Sequence, residues 1–269
     1  MRAFRIAYDG RSYHGFQRQP DVPTVSDAIL SALRSLSVTS DVPPSYAAAG
    51  RTDAGVSALA QTVAFEAPEW LTPDVLSAHL PDDIRAWASA DVSEAFHATH
   101  DATSRTYEYT LDSADLDVDR VRRAADRLAG THDFHNLSVA DSGTTRSLET
   151  AVEHADPYLV LTFRADGFPR QFVRRAVALI TDIATTNRPL SWIDRVLASD
   201  PLDGPDGIRP APPYPLMLAD VTYPAATFDP ATEAAQAAQT FFADRRDALR
   251  VRARVADRIR EGIAPERNP

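Results

Sequence analysis

Alternating apolar and polar residues in the first part of the chain predict three strands with two helices between them. The strands are predicted over residues 2–10, 58–67 and 84–92. The segment Thr24-Val25-Ser26-Asp27 is typical of a capping box, and the apolar residues after it recur at helical spacing. A shorter helix is predicted over 71–80, with Pro73 in its first turn. The predicted order is strand, helix, strand, helix, strand.

The rest of the chain repeats this alternation of predicted strands and helices. Strands are predicted over 104–112, 145–155, 158–166 and 215–224, and helices over 118–130, 170–186 and 191–200. A proline-rich loop follows over 201–215, and a helical pattern runs from 229 to about 263. We therefore predict an α+β protein with three parts. These are an N-terminal half (1–103), a C-terminal half (104–226) and a helical C-terminal extension (227–269).

The composition narrows the class of protein. Cysteine is absent, which excludes disulfides and thiolate chemistry and fits a cytoplasmic protein. No apolar run approaches the ~20 residues that a membrane-spanning helix needs, and no leader peptide is expected. All 28 basic residues are arginine and 29 of the 38 acids are aspartate. This composition is typical of a halophilic organism with a salty cytoplasm.

The distribution of charge points to a polyanionic partner. The net charge is −10, but molar salt shortens the Debye length to about 3 Å, so the local arrangement matters more than the sum. Residues 66–119 hold 13 acids and 2 arginines, whereas residues 161–180 hold four arginines and one acid. We therefore expect one face of the molecule to accept a polyanion while another stays acidic and solvated.

The segment "AAAGRTDAGVSA" (47–58) places one carboxylate, Asp53, between two glycines. Its residues are typical of a turn, because Gly accepts a positive φ and Asp bonds its own backbone. Gly50 and Gly55 also have the spacing of a phosphate-binding loop, but Val56 stands where that loop needs lysine. The third interpretation is a reactive carboxylate on a loop whose backbone passes close to a ligand.

Six segments in one order resemble the TruA family of tRNA pseudouridine synthases. They are "YDGRSYHGFQRQ" (8–19), "AGRTDAGVSA" (49–58), "FHATHDATSRTYEY" (96–109), "THDF" (131–134), "TTRSL" (144–148) and "GFPRQFVRR" (167–175). The resemblance covers nearly the whole chain up to about residue 224. It implies the pseudouridine synthase fold, in which two ferredoxin-like halves with mainly antiparallel sheets surround a central cleft. Here a C-terminal helical tail follows the two halves.

The same resemblance implies an isomerase without cofactor or metal. The family converts uridine in the anticodon arm of tRNA, at positions 38–40, to pseudouridine, and it works as a homodimer. By resemblance, Asp53 is the essential carboxylate and Arg174 is the cation that keeps it ionised. Tyr107 is the active-site tyrosine, whose ring stacks on the extruded base. Arg51 helps to hold the target nucleotide out of the stack, and Leu216 forms an apolar wall against the base.

Other polar side chains are candidates for binding the RNA. Arginine forks suit phosphate, and the candidates are Arg11, Arg18, Arg164 and Arg170. Gln17 and Gln19 are expected on the same surface. The chain departs from the family pattern at Ser57, where histidine is frequent, and at Pro215 and Met217, in a segment that usually reads Gly-Leu-Tyr-Leu.

Three alternatives remain open at this stage. His97 and His100, like His132 and His135, have a spacing that zinc sites use, although no third ligand motif is present. A non-catalytic RNA-binding or tRNA-folding protein derived from the same fold is the second alternative. A nucleotide hydrolase is the third and is disfavoured, since the chain has no lysine to reach the phosphates.

Overall fold

The computed structural model describes residues 1–140, 142–186, 188–202 and 207–263. The N-terminal part contains, in order, β1 (Arg2–Tyr8), α1 (Val25–Ser35), β2 (Ala47–Ala48), β3 (Ser57–Phe65), α2 (Pro73–Ser77) and β4 (Ile84–Asp91). Thr24 caps α1 as predicted, because its hydroxyl accepts a hydrogen bond from the backbone N–H of Asp27. The Asp27 carboxylate accepts from the Thr24 hydroxyl and not from its backbone N–H, which differs from a capping box. This cap fixes the first turn of α1, which buries Ile29 and Leu33 against the sheet.

The second part contains eight further elements. They are β5 (Ser104–Asp112), α3 (Val118–Leu128), β6 (Gly130–Asp133), β7 (Thr145–Ala155), β8 (Tyr158–Ala165), α4 (Phe172–Thr185), α5 (Trp192–Val196) and β9 (Leu216–Thr222). Two more elements follow, β10 (Asp229–Pro230) and the long helix α6 (Thr232–Ile263). The apolar face expected for α4 is confirmed, since Phe172, Ala176, Leu179 and Ile183 are all buried.

Most predicted elements are confirmed, and the differences lie in short segments. Strands β2, β6 and β10 span only two to four residues, too few to show a period. The helix predicted over 191–200 is a single turn, Trp192–Val196. Four residues of the proline-rich loop, 203–206, lie outside the described residues.

All the strands that the structure describes belong to one sheet that runs through both parts. The strand order is β10-β4-β1-β3-β9-β5-β8-β7-β6, and β2 pairs with β3 beside this path. Among the described strands every pairing is antiparallel except that of β3 with β9, where Ser57 lies opposite Met217 and Ala58 opposite Leu218. This short parallel pairing joins the two parts at the middle of the sheet. It sets the position of the loop before β3 relative to the second part.

Two apolar clusters flank this central pairing. The first forms under α1 and α2 but includes Leu218 and Val221 from β9. The second forms around α3 and α4 but includes Val56, which precedes β3. Tyr107 packs against both clusters. Each cluster therefore includes side chains from the other part of the chain, across the seam where β3 pairs with β9. The division into 1–103, 104–226 and 227–269 stays a prediction.

Gly10 stands where two backbone segments meet. It begins a short 3₁₀ turn, Gly10–Ser12, directly after β1. A Cβ atom at this position would lie 1.9 Å from the carbonyl oxygen of Val56, a separation that no side chain tolerates. The glycine therefore lets the 9–16 segment lie directly against the segment that carries Asp53.

Gly10→Ala is expected to lower the free energy of unfolding by about 2–3 kcal/mol, because the backbone of the neighbouring loop must move to make room. Gly50→Ala is the matched control, since a Cβ there would meet nothing within 4 Å. Denaturant unfolding at fixed KCl checks both variants. Equal stability of the two variants would contradict the close approach at Gly10.

Candidate active site

The loop that carries Asp53 connects β2 to β3 and is held by hydrogen bonds from several sides. The backbone N–H of Gly55 donates to the carbonyl of Tyr13, and that of Phe16 donates to the carbonyl of Thr52. The hydroxyls of Tyr8 and Thr52 lie 2.8 Å apart in the core. These bonds fix the backbone on both sides of Asp53, whose side chain is 28% exposed. The carboxylate is thus presented on a rigid loop.

Arg174 faces this carboxylate from the second part of the chain. Its Nη1 atom lies 3.3 Å from Oδ2 of Asp53, and its Nε donates to the carbonyl of Ala211 at 2.7 Å. Arg174 occupies the first turn of α4, which the buried side chains of Phe172 and Val173 anchor in the core. The guanidinium side chain is only 14% exposed. A partly buried ion pair thus spans the seam between the two parts, with a geometry that both partners help to fix.

Tyr107 lies on β5, in the same cleft as the ion pair. Its ring meets Phe168 edge to face, with 5.2 Å between the ring centroids. Burial, together with the negative charge of Asp53, raises the pKa of Tyr107 to about 12. The hydroxyl therefore keeps its proton through the neutral range and is available as a hydrogen-bond donor.

These side chains line one open cleft of about 1510 Å³. This exceeds the roughly 300–1,000 Å³ of ordinary small-molecule sites, so the cleft has room for part of a polymer. Nine of the eleven predicted site residues line it, and Arg164 and Arg11 do not: the nine are Asp53, Tyr107, Arg174, Arg51, Leu216, Gln17, Gln19, Arg18 and Arg170. The guanidinium of Arg11 instead turns back to form a two-point ion pair with Asp9.

The arginines predicted to bind phosphate differ in whether an acidic side chain of the protein already pairs with them. Arg51 and Arg170 are exposed at the cleft. Arg18 also lies at the cleft but donates to Asp27 at 2.9 Å. Arg164, on β8, pairs with Glu149 at 3.4 Å. The roles of these residues in binding stay predictions.

The departures from the family pattern have local structural partners. The Ser57 hydroxyl accepts a hydrogen bond of 3.1 Å from the backbone N–H of Gly10, so it ties the Asp53 loop to the neighbouring turn. Leu216 is buried at the cleft despite the proline before it. Met217 lies opposite Ser57 in the parallel pairing of β3 and β9.

Several residues at the cleft were not predicted from the sequence as site residues, and Arg105 is the one that bonds most of the cleft wall. Its guanidinium donates to four backbone carbonyls, those of Ala49, Thr99, Ala102 and Asp166. Arg105 precedes Tyr107 by two residues on β5, and residues two apart on a strand point to the same face. That rule, applied to "SRTYEY", is the signal that would have found it. Arg146, His97 and Phe168 also line the cleft.

The histidine pairs that suggested a metal site have other neighbours. The rings of His97 and His100 lie against each other, with centroids 4.2 Å apart. A nitrogen of His132 lies 3.0 Å from the carbonyl oxygen of Ala129. Within the described ranges, no three His, Asp or Glu side chains are grouped as a metal site requires.

None of the helices that the structure describes combines the length and apolar character needed to cross a membrane.

Comparison with known proteins gives the family. A family model described as tRNA pseudouridine synthase matches residues 124–224. The chain is 55% identical over 260 residues to tRNA pseudouridine synthase A of Natronomonas pharaonis, covering 95% of this chain and 97% of the relative. It is 52% identical to the same enzyme of Haloarcula marismortui, covering 98% and 100%. The relative from Archaeoglobus fulgidus is 37% identical and covers 84% and 85%.

The solved structure of an archaeal box H/ACA sRNP Nop10-Cbf5 complex is similar at 13% identity. The matched region spans 65% of this chain and 45% of the chain in that solved structure. The TM-score of 0.34 is too low to bear on function. The two haloarchaeal relatives fit the halophilic composition. At 55% identity over nearly the full length of both proteins, this chain belongs to the TruA family of tRNA pseudouridine synthases, which are isomerases.

Proposed function

We propose that this protein converts uridine to pseudouridine at positions 38–40 in the anticodon arm of tRNA, with Asp53 as the essential carboxylate and without a cofactor. The ion pair between Asp53 and Arg174, in a cleft that Tyr107 also lines, is the observation that supports the proposal most directly. The names of the relatives support tRNA as the substrate.

The reaction is an isomerisation, so its atoms balance without a co-reactant. The bond between N1 of the base and C1′ of the ribose breaks, the base turns, a bond forms between C5 and C1′, and the C5 proton leaves while N1 gains one. Asp53 serves this reaction in one of two ways. It attacks C1′ or the base as a nucleophile, or it removes a proton from the sugar while the glycosidic bond breaks.

Arg174 orients the carboxylate for either role. Its Nη1 holds Oδ2 of Asp53 at 3.3 Å, which restricts rotation of the side chain and does not engage Oδ1. The bond from its Nε to Ala211 restricts the guanidinium in turn. Holding a reacting group in place in this way removes part of the entropic cost of reaching the transition state.

Tyr107 and Leu216 provide surfaces for a swung-out pyrimidine. An aromatic ring at the cleft suits stacking on an extruded base, and the edge contact with Phe168 fixes the plane of the Tyr107 ring. Because its pKa is raised to about 12, the hydroxyl of Tyr107 stays protonated at neutral pH and can donate a hydrogen bond when the C5 proton moves.

The rest of the substrate is held by phosphate contacts. RNA duplexes are recognised mainly by shape and backbone, for which the exposed guanidinium groups of Arg51 and Arg170 are suited. We further propose that the enzyme works in the cytoplasm as a homodimer, which presents two such surfaces to one tRNA.

Asp53→Asn is expected to abolish turnover while tRNA still binds, because the change removes the charge and keeps the shape. Tritium release from uridine-labelled tRNA measures turnover, and filter binding measures affinity. Asp115→Asn, at an exposed position, removes one charge elsewhere and serves as the control. Normal turnover by Asp53→Asn would refute the assignment, and inactive wild-type protein that binds tRNA would favour the non-catalytic alternative.

Arg174→Ala is expected to lower kcat by roughly 10²-fold and to change KM much less, because misplacement of the carboxylate affects the chemical step. Arg175→Ala is the matched control. The Arg175 guanidinium lies in the same turn of α4 but bonds the carbonyl of Ile208 and the side chain of Gln171, so its loss tests the anchoring of these segments without touching Asp53. Steady-state kinetics with tRNA separate the two variants, and equal losses of kcat would contradict the orienting role of Arg174.

A further inference from the structure

Helix α6 has two parts with different surroundings. In its first part Ala234 and Ala238 are buried, and Phe241 lies under the guanidinium of Arg85, 5.2 Å away. From Arg246 to Ile263, called here the overhang, every residue except Asp257 is exposed. These 18 residues extend the helix by about 27 Å. The overhang is therefore a surface without an intramolecular partner among the described residues.

The overhang leaves the body at the edge of the sheet that carries Asp53. Strand β10 pairs with β4 at Ser89 and Ala88, and the next residue, Ala231, donates to the carbonyl of Trp87. The helix then runs toward the start of β4, since Phe241 meets Arg85. In the sheet, Ile84 lies opposite Tyr8, and Tyr8 lies opposite Ala58. That end of the sheet is where the Asp53 loop enters β3.

An ion pair anchors the helix at this edge. The guanidinium of Arg245 lies 3.3 Å from the carboxylate of Asp9, whose side chain is only 10% exposed. Asp9 precedes Gly10, which bonds Ser57 at the end of the Asp53 loop. Two short steps, from Arg245 to Asp9 and from Gly10 to Ser57, therefore connect the base of the overhang to the end of the Asp53 loop. The overhang thus starts within reach of an RNA whose uridine is bound at Asp53.

The charge of the overhang is opposite to that of the chain. It holds six arginines and three acids, within a protein of net charge −10. Among the described residues, the ion pairs of its arginines are formed with acids of the same helix, such as that of Arg258 with Glu261. Such exposed pairs are worth little, so a phosphate competes with them at small cost. The overhang is thus a local cationic surface on an acidic protein.

The two faces of the overhang argue for RNA rather than a second copy of the chain. By the helical period, one exposed apolar face is formed by Leu249, Val251, Val255, Ile259 and Ile263. Arg252 lies within this face, and Arg258 and Arg260 lie at its two borders. Of the three acids, Asp247 lies just beyond Arg258, whereas Asp257 and Glu261 lie on the opposite side of the helix. Two copies packed through this face would enclose Arg252 of each copy among apolar side chains, which is costly for an unpaired charge. Phosphate groups instead satisfy the arginines while the aliphatic side chains lie against the riboses.

We propose that the overhang binds the sugar–phosphate backbone of the substrate tRNA outside the segment whose uridine enters the cleft, an inference that rests on the proposed function. The contact is made through phosphates, so it depends on salt and not on base sequence. It adds affinity for whole tRNA without touching the reacting base.

The test replaces Arg252, Arg258 and Arg260 together by glutamine and compares full-length tRNA with an isolated anticodon stem–loop. We expect KM for full-length tRNA to rise at least ~5-fold, with a much smaller change for the stem–loop. Each lost phosphate contact also lowers the slope of log KM against log[KCl] by about 0.7–0.9. The slope is measured over KCl concentrations at which both proteins remain folded. A chain that ends at Arg245 provides a second variant with the same expected result.

The control triple replaces Arg122, Arg123 and Arg127, on the exposed face of α3, by glutamine and is expected to keep KM and slope. Unchanged KM and slope in the overhang variants, with active wild-type protein, would overturn the inference alone. Inactive wild-type protein would instead refute the proposed function. If replacing Val251, Val255 and Ile259 by serine halves the mass measured by light scattering while the arginine triple keeps its KM, the overhang joins two copies and the inference is wrong.

A separate observation concerns Arg105. Its Nη2 donates to Ala49 at 2.8 Å and to Thr99 at 2.6 Å, and its Nη1 donates to the carbonyl of Asp166. Three segments of the cleft wall thus converge on one guanidinium: the start of the Asp53 loop, the 97–101 turn and the segment that leads to Phe168. We infer that Arg105 is a positioning residue, which sets the distance between the Asp53 loop and the wall that holds Tyr107 and Phe168.

Arg105→Lys keeps the charge but cannot span three segments, because an ammonium lacks the planar fork. We expect kcat to fall by at least ~10-fold with a smaller change in KM, since small misplacements of a reacting group are costly. Arg120→Lys is the matched control, because Arg120, on α3 and away from the cleft, bonds the carbonyls of Ile183 and Arg188. A loss of thermal stability in both variants without a selective fall in kcat for Arg105→Lys would show a structural role only.

Discussion

The site depends on the parallel pairing of β3 with β9. Only two residue pairs form it, Ser57 with Met217 and Ala58 with Leu218, yet it joins the two parts of the chain into one sheet. Because β3 begins directly after the Asp53 loop, this pairing fixes where the loop stands relative to the second part. The register brings Asp53 to the first turn of α4, where Arg174 meets it. The ion pair is therefore a consequence of sheet register as well as of charge.

Arginine side chains hold backbone segments together around this seam, a role that the net charge does not reveal. Arg5, nearly buried, donates to the carbonyls of Ala60 and Val221 on either side of the seam. Arg105, Arg174 and Arg175 likewise bond backbone carbonyls around the cleft. Salt screens attraction between distant exposed charges, but short hydrogen bonds in partly buried positions are screened much less. In a lysine-free chain, planar guanidinium forks thus serve as cross-links between loops.

Much of the fold was predictable because local patterns carry it. Alternation and helical spacing predicted the long strands and helices, and Thr24 marked the start of α1. The two-residue strands β2 and β10 were missed because pairing alone defines them. At the cleft, Asp53, Tyr107 and Arg174 were predicted by resemblance, and the structure brings them together. Arg105 was not predicted, because the carbonyls that it bonds come from three segments distant in sequence.

The sequence by itself determined the long strands and helices, the halophilic composition and the carboxylate on a glycine-flanked loop. These properties arise from interactions over a few neighbouring residues or from composition alone. Only the tertiary structure decided that Arg174 reaches Asp53, that Arg11 turns to Asp9 and away from the cleft, and that α6 leaves the body beside the Asp53 loop. Each of these outcomes depends on strand register and helix packing between distant segments, which no local pattern specifies.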